Sequence, residues 1–418
     1  MSRATQQSAP SGTDELPEAA YAAALAGFTE MTVHRLLALL RQHPPAEAYA
    51  VASGRLPPRD GLIRRVLDDP ERGSALRAAW ASSAQRLRPH TVWQRCTDLG
   101  LEVTVMGQPG HPPVLTHDAL PVPVLFSRGD RTLLGGRRVA LIGTRNATAS
   151  GRHVARTLGG ELAHAGVQVV SGLARGIDGA AHQGVFEVLD LGAHGAGAMS
   201  STAMSSGAGR AVLGRPIAVV ASGLDVVYPR EHKTLWQRVG AEGLLLSEHP
   251  PGAPPVAHHF PLRNRMVAAL SEAVVVVESR ERGGSLITAD LAAERGVPVM
   301  AVPGHVANRA SLGANGLLRD GATPVLDVGD ILIALALDRL PLDRLPSERL
   351  ALDRRSRPRA DDRVVLQACS GVPRTIGEVA RLADRPLLDV AMALARLEQS
   401  GWLHQVDGWY EALGSPPP

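Results

Sequence analysis

Lys233 is the only lysine among 44 basic residues, so cationic chemistry here is almost entirely guanidinium chemistry. Aromatic residues make up 3% of the 418 positions, which leaves few platforms on which a planar ligand could stack. Two cysteines, Cys96 and Cys369, give no disulfide framework. The opening Met1-Ser-Arg-Ala-Thr-Gln-Gln7 has no apolar signal core, and no apolar run approaches membrane-spanning length. A cytoplasmic protein without membrane insertion is therefore expected. Formal net charge is only +3, so affinity for nucleic acid would have to come from a local patch. Two nucleotide motifs are missing as well: no Gly-x-x-x-x-Gly-Lys-Ser/Thr occurs, and no Gly-x-Gly-x-x-Gly follows the first core strand.

What the chain does have is a set of glycine- and serine-bearing turns between apolar strands and helices. Val167–Val170 reads as a buried strand, and Asp178–Leu189 has helical composition with Asp178 as N-cap. Between them lies Ser171-Gly172-Leu-Ala-Arg175-Gly176. Gly143-Thr144-Arg145 stands in the same relation to the strand from Arg138 and a helix over Ala149–Ala165. Gly283-Gly284-Ser285 does so between Ala273–Ser279 and a helix over Leu286–Arg295. Further strands are expected at Pro216–Ala221, Leu244–Ser247 and Val297–Val302. This alternation predicts a mainly parallel sheet with helices on both faces, and the turns at its carboxyl edge would form one rim. Glycine lets backbone amides approach an anion, and each helix N-terminus adds partial positive charge.

The rim offers no acidic residue for a ribose, since the second strand ends in Ser171-Gly172. A nicotinamide cofactor is not expected. Phosphate-holding turns without a ribose or Mg²⁺ reader suit a ligand recognised through its backbone, such as single-stranded nucleic acid.

Six ordered motifs within about 115–333 resemble the DNA-processing protein A (DprA/Smf) family. They are Val139-Ala-Leu-Ile-Gly-Thr-Arg145, Ser171-Gly-Leu-Ala-Arg-Gly-Ile-Asp178 with Ala181-His182, Gly223-Leu-Asp-Val-Val-Tyr-Pro229, Phe260-Pro-Leu-Arg-Asn-Arg265, Gly284-Ser-Leu-Ile-Thr-Ala289 and Val302-Pro-Gly304. The resemblance implies a Rossmann-like core that binds single-stranded DNA, protects incoming DNA in natural transformation and loads the recombinase RecA, as a homodimer without catalytic turnover or cofactor.

The flanks are read from composition and family position together. Residues 1–16 predict a disordered tail, and 17–84 a helical domain where the family carries a SAM-like fold. The Rossmann-like core is assigned to 85–334, with a Gly/Ala/Ser-rich flexible insertion at 192–209. Residues 335–362 read as a linker, and 363–413 as a winged helix with a capping box at Thr375-Ile-Gly-Glu378 and a hairpin around Asp407-Gly408. Its third helix, from Pro386 to Gln399, holds one arginine against two acids, which favours protein over DNA as its partner.

The candidate DNA-binding residues follow the turns: Gly143, Thr144 and Arg145; Ser171, Gly172, Arg175 and Gly176; Gly284 and Ser285. Arg145 can fork onto a phosphate. Lys233 lies where the family often places a DNA-contacting base, with Arg230 as the other possible equivalent. Phe260 beside Arg263, Asn264 and Arg265 has the composition of a single-strand groove. Asp178 and His182, four apart on one helix, read better as a helix cap and a structural histidine than as an acid–base couple, and His258, His259 and His305 lack metal-ligand spacing, so no catalytic or metal site is expected. Two other readings stay open. One is a nucleotide phosphoribohydrolase on a related fold, whose Pro-Gly-Gly-x-Gly-Thr motif is not reproduced by Glu281-Arg-Gly-Gly-Ser285; the other is a protein scaffold.

Overall fold

The computed structural model describes residues 16–59, 61–197, 212–335, 357–370, 372–406 and 408–413. The expected tail before residue 16, most of the linker and the second part of the Gly-rich insertion lie outside them. The chain divides into two compact units, the first made of residues up to 128 together with 222–226 and 247–254, the second of the remainder.

The first unit contains α1 (Glu18–Ala26), α2 (Val33–Gln42), α3 (Pro45–Ala52), α4 (Leu62–Leu67), α5 (Gly73–Arg86) and α6 (Pro89–Asp98), then β1 (Glu102–Val105), the short α7 (Pro113–Thr116) and β2 (Val124–Gly129). Its helices start where the local chemistry allows. Thr32 accepts from the Arg35 amide ahead of α2, and prolines open α3 and α6, where a missing amide hydrogen costs nothing. Trp80, Leu39 and Leu25 are fully buried, and Tyr49 packs edge-on against Phe28 while its hydroxyl donates to the Ala84 carbonyl. The strands β1 and β2 pair antiparallel, and Arg95 reaches Asp225 at 2.6 Å.

The second unit is built on β3 (Arg138–Gly143), α8 (Ala149–His164), β4 (Gln168–Ser171), α9 (Ile177–Gly197), β5 (Pro216–Val219), α10 (Lys233–Glu242), β6 (Leu244–Ser247), α11 (His259–Leu270), β7 (Ala273–Glu278), α12 (Gly284–Glu294), β8 (Val299–Ala301), α13 (Leu312–Arg319), β9 (Thr323–Pro324) and α14 (Val328–Ala334). The strands run in the order β6-β5-β4-β3-β7-β8-β9, with each pair from β5/β6 through β8/β9 parallel. Every residue of β4, β5 and β7 is buried, the pattern of strands covered on both faces. Each buried valine of β7 contributes about 1.5–3 kcal/mol over an exposed one. The chain moves one way from β3 to β6, then returns to the other side of β3 with β7. That reversal puts a crevice at the carboxyl ends of β3 and β7.

The helix expected to stop near Leu189 runs on to Gly197, through Gly192 and Gly195, so residues 192–197 are helical instead of a flexible loop. Past the undescribed segment come α15 (Ala360–Ala368), β10 (Arg374–Thr375), α16 (Ile376–Ala383), α17 (Leu387–Gln399), β11 (Leu403–Val406) and β12 (Trp409–Ala412). The Thr375–Glu378 capping box forms, and these helices close on Trp402, Leu366 and Val390. Among the described residues no helix is long and apolar enough to cross a membrane.

Candidate nucleic-acid interface

Two turns interlock at the crevice. The Thr144 amide donates to the Glu278 carbonyl at 2.8 Å, tying the end of β3 to the end of β7. Gly176, at φ 76°, lies against the Thr144 carbonyl so closely that a Cβ would stand 2.3 Å from that oxygen. The second turn thus folds directly onto the first.

The N-terminus of α8 and the turn before α9 are each supplied with negative charge by the chain itself. Glu278, at the tip of β7 and 6% exposed, accepts from the Thr148 amide at 2.9 Å and the Thr148 hydroxyl at 2.5 Å, while that hydroxyl accepts from Gly151 N in the first turn of α8. Asp178 lies inside α9, one residue past the start, and its carboxylate turns back to accept from the Gly172 amide at 3.1 Å and from the Ala174 amide. Its expected capping role is therefore exercised on the preceding turn. Burial pushes its carboxyl up, opposed by the Arg263 guanidinium, the two amides and Arg145.

Arg263 is the counterpart beneath that turn. It is 6% exposed and donates from Nη1 to the Val219 carbonyl at 2.8 Å. Gly172 admits it, because a Cβ there would come within 1.5 Å of Nη1. Arg265, 3% exposed, is likewise buried in α11, and Asn264 between them is half-buried. Ser171 is fully buried and donates to the Leu141 carbonyl. Ser285 donates to the Ser279 hydroxyl at 2.8 Å, whereas Gly284 stands in open space at the start of α12.

The groups left facing outward are cationic and aromatic. Arg145 is exposed, and its guanidinium lies 4.6 Å over the Phe260 ring. Phe260, in the first turn of α11, packs at 5.6 Å against Tyr228, which is 38% exposed. The Tyr228–Pro229 peptide is cis. It leads into a short 3-10 turn, Arg230–His232, with Arg230 and Lys233 exposed. Arg175 is exposed and pairs with Glu231 at 3.0 Å, and His232 Nδ1 sits 3.0 Å from the Leu173 carbonyl. The structure thus gathers Arg145, Arg175, Phe260, Arg230 and Lys233 on one rim and sets Arg263 and Arg265 beneath it. Sequence reasoning missed Tyr228 and Glu278, and read Asp178 as a cap on its own helix. Tyr228 could have been found from its place in the Gly223–Pro229 motif, while Glu278 and Asp178 carry no local signal of where their side chains turn.

Comparison with known proteins matches the span of chain in which this rim lies. The family model described as DNA recombination-mediator protein A matches residues 102–336. The chain is 41% identical over 212 residues to the DNA processing protein DprA of Bacillus subtilis (strain 168), covering 50% of this chain and 63% of that protein. It is 32% identical over 299 residues to the protein Smf of Escherichia coli (strain K12), covering 69% and 71%. Against putative DprA of Mycobacterium tuberculosis (strain H37Rv) the match spans 48% of the relative's length, so part of each such relative has no counterpart in the match. The X-ray structure of DNA processing protein A from Streptococcus pneumoniae superposes with a TM-score of 0.58 at 27% identity, over 76% of this chain and 98% of that one. All of the interlocked turns and the aromatic–arginine rim fall inside the matched span, and the chain belongs to the DNA recombination-mediator protein A family.

Proposed function

We propose that the rim binds single-stranded DNA through its phosphates, with little base preference, and that the protein is a recombination mediator without catalytic turnover. The observation that carries this is the Arg145 guanidinium stacked on Phe260, itself packed on half-exposed Tyr228. A cation over an aromatic ring beside further exposed cations is the composition of a groove that stacks bases while holding neighbouring phosphates. The filled N-terminus of α8 and the Asp178 carboxylate on the turn before α9 speak against the phosphoribohydrolase alternative, because a mononucleotide phosphate would have to displace Glu278 or compete with Asp178 for the Gly172 amide.

Family membership supports the finer reading: protection of incoming DNA in natural transformation and loading of RecA, by a homodimer in the cytoplasm. We read the α1–α5 region as the SAM-like domain and the α15–β12 region as the winged helix. The only arginine of α17, Arg396, is held by Asp362 through two contacts of 2.6 and 3.1 Å, which supports a protein-facing role for that helix. The test is affinity for single against double strands over a salt series. Log affinity for single strands should fall linearly with log salt, with a slope of about 0.7 per phosphate neutralised. An affinity independent of salt would sink the reading, as would release of free base from nucleoside monophosphates.

A further inference from the structure

The sheet order sets the turns after β5, β4, β3, β7 and β8 side by side. Each bears an exposed cation: Arg230 and Lys233 after β5, Arg175 after β4, Arg145 after β3, Arg280 and Arg282 after β7, and Arg309 after β8. The first three turns make up the rim already described. The last two are not explained by it.

Their backbone is fixed. Gly313 N donates to the Ser279 carbonyl at 2.7 Å, Gly283 N to the Arg280 carbonyl at 3.0 Å, and Ala310 N to the Asn308 side chain at 3.0 Å. The side chains are not committed: among the described residues, none of Arg280, Arg282 and Arg309 forms an ion pair. Glu281 is the only carboxylate in the segments 279–284 and 303–313. Exposed guanidiniums without an ion-pair partner leave their charge available to a bound polyanion. Gly284, two residues past Arg282, is exposed, with nothing within 4 Å of where a Cβ on it would stand.

We infer that the path of a single DNA strand crosses the whole carboxyl edge, from the β5 turn to the β8 turn, with Arg280, Arg282 and Arg309 holding phosphates beyond those at Arg145. The inference rests on the single-strand reading and assigns its length and direction. Four inter-strand steps of about 4.8 Å span about 19 Å. That distance matches five or six phosphates at the stacked spacing of about 3.4 Å, and fewer when the strand is stretched.

The test uses the full chain, labelled oligothymidylates of 4 and 20 nucleotides, and the triple variant R280A/R282A/R309A. Affinity for the 20-mer should fall about tenfold or more, and its salt slope should shrink by about 2, from three contacts at about 0.7 each. Affinity for the 4-mer should stay within twofold, and the thermal midpoint should hold because all three side chains are exposed. An unchanged 20-mer affinity and slope, with Arg145→Ala still weakening both oligonucleotides, would overturn the extended path and leave the rim reading intact. Failure of the unmodified chain to bind either oligonucleotide would overturn both.

Discussion

Glu278 and Thr148 are joined twice, through the Thr148 amide at 2.9 Å and its hydroxyl at 2.5 Å, across the crevice where the strand order reverses. A carboxylate from β7 thus sits where many α/β proteins place a ligand's phosphate. Glu278→Ala should lower stability by about 2–4 kcal/mol, from the loss of charge-assisted hydrogen bonds at a buried helix start. Urea denaturation checks it, and a midpoint shift below about 0.5 kcal/mol would show that the α8 N-terminus has no need of this charge.

Arg145→Ala should act in the opposite sense. Single-strand affinity should drop by about 1.5–3 kcal/mol, the scale of a charge-assisted contact, with stability barely changed because the side chain is exposed over the Phe260 ring. Affinity and thermal midpoint measured on one sample decide the matter. A lowered midpoint with unchanged affinity would assign Arg145 to the scaffold.

Two glycines of the rim should respond with opposite signs. Gly172→Ala drives a methyl group into the buried Arg263 guanidinium and should cost about 3 kcal/mol or more. Gly284→Ala meets open space on a helix and should stabilise by about 0.5–1 kcal/mol. Thermal melts of the two variants suffice, and equal effects would refute the placement of Arg263 under the turn.

Acid should unfold the protein through its buried histidines. Burial holds His182 down to about 4 against the pull of the Val169 and Ile217 backbone, and does the same to His111. Both bind protons more readily when unfolded, near 6.5, so their contribution is fully present above that value and is lost as pH falls from 6.5 towards 4. The slope is about 1.4 kcal/mol per pH unit for each histidine across that window. Replacing His182 by leucine should remove its share of the slope between pH 6.5 and 4.5, and an unaltered slope would contradict the buried neutral imidazole.

A chain ended after residue 356, lacking α15 to β12, should keep its single-strand affinity within a few-fold, because Arg396 is already committed to Asp362. A hundredfold loss, about 2.7 kcal/mol, would place DNA on that region.

Strands and turns were legible because apolar runs such as Val139–Ile142 and Val169–Val170 stop at glycine or serine, and burial on both faces leaves no alternation to confuse the pattern. The helix through Gly192 and Gly195 was not, since local propensity argues against it there. Arg145 and Phe260 could be picked out by residue type. Whether an arginine faces ligand or core could not: Arg263 and Arg145 look alike in sequence, and only the fold of Gly172 over α11 separates them. The inward turn of Glu278 and Asp178 is a tertiary fact of the same kind.

The first unit takes in residues 222–226 and 247–254 as well as everything up to 128. On a ribosome it is therefore still incomplete when its own helices have been made. At about 5–20 residues per second, the interval between residues 128 and 254 is about 6 to 25 s. Arg95 has no Asp225 to pair with until residue 225 is made, and four of the seven strands described for the second unit's parallel sheet, β3 to β6, are made before the first unit can close.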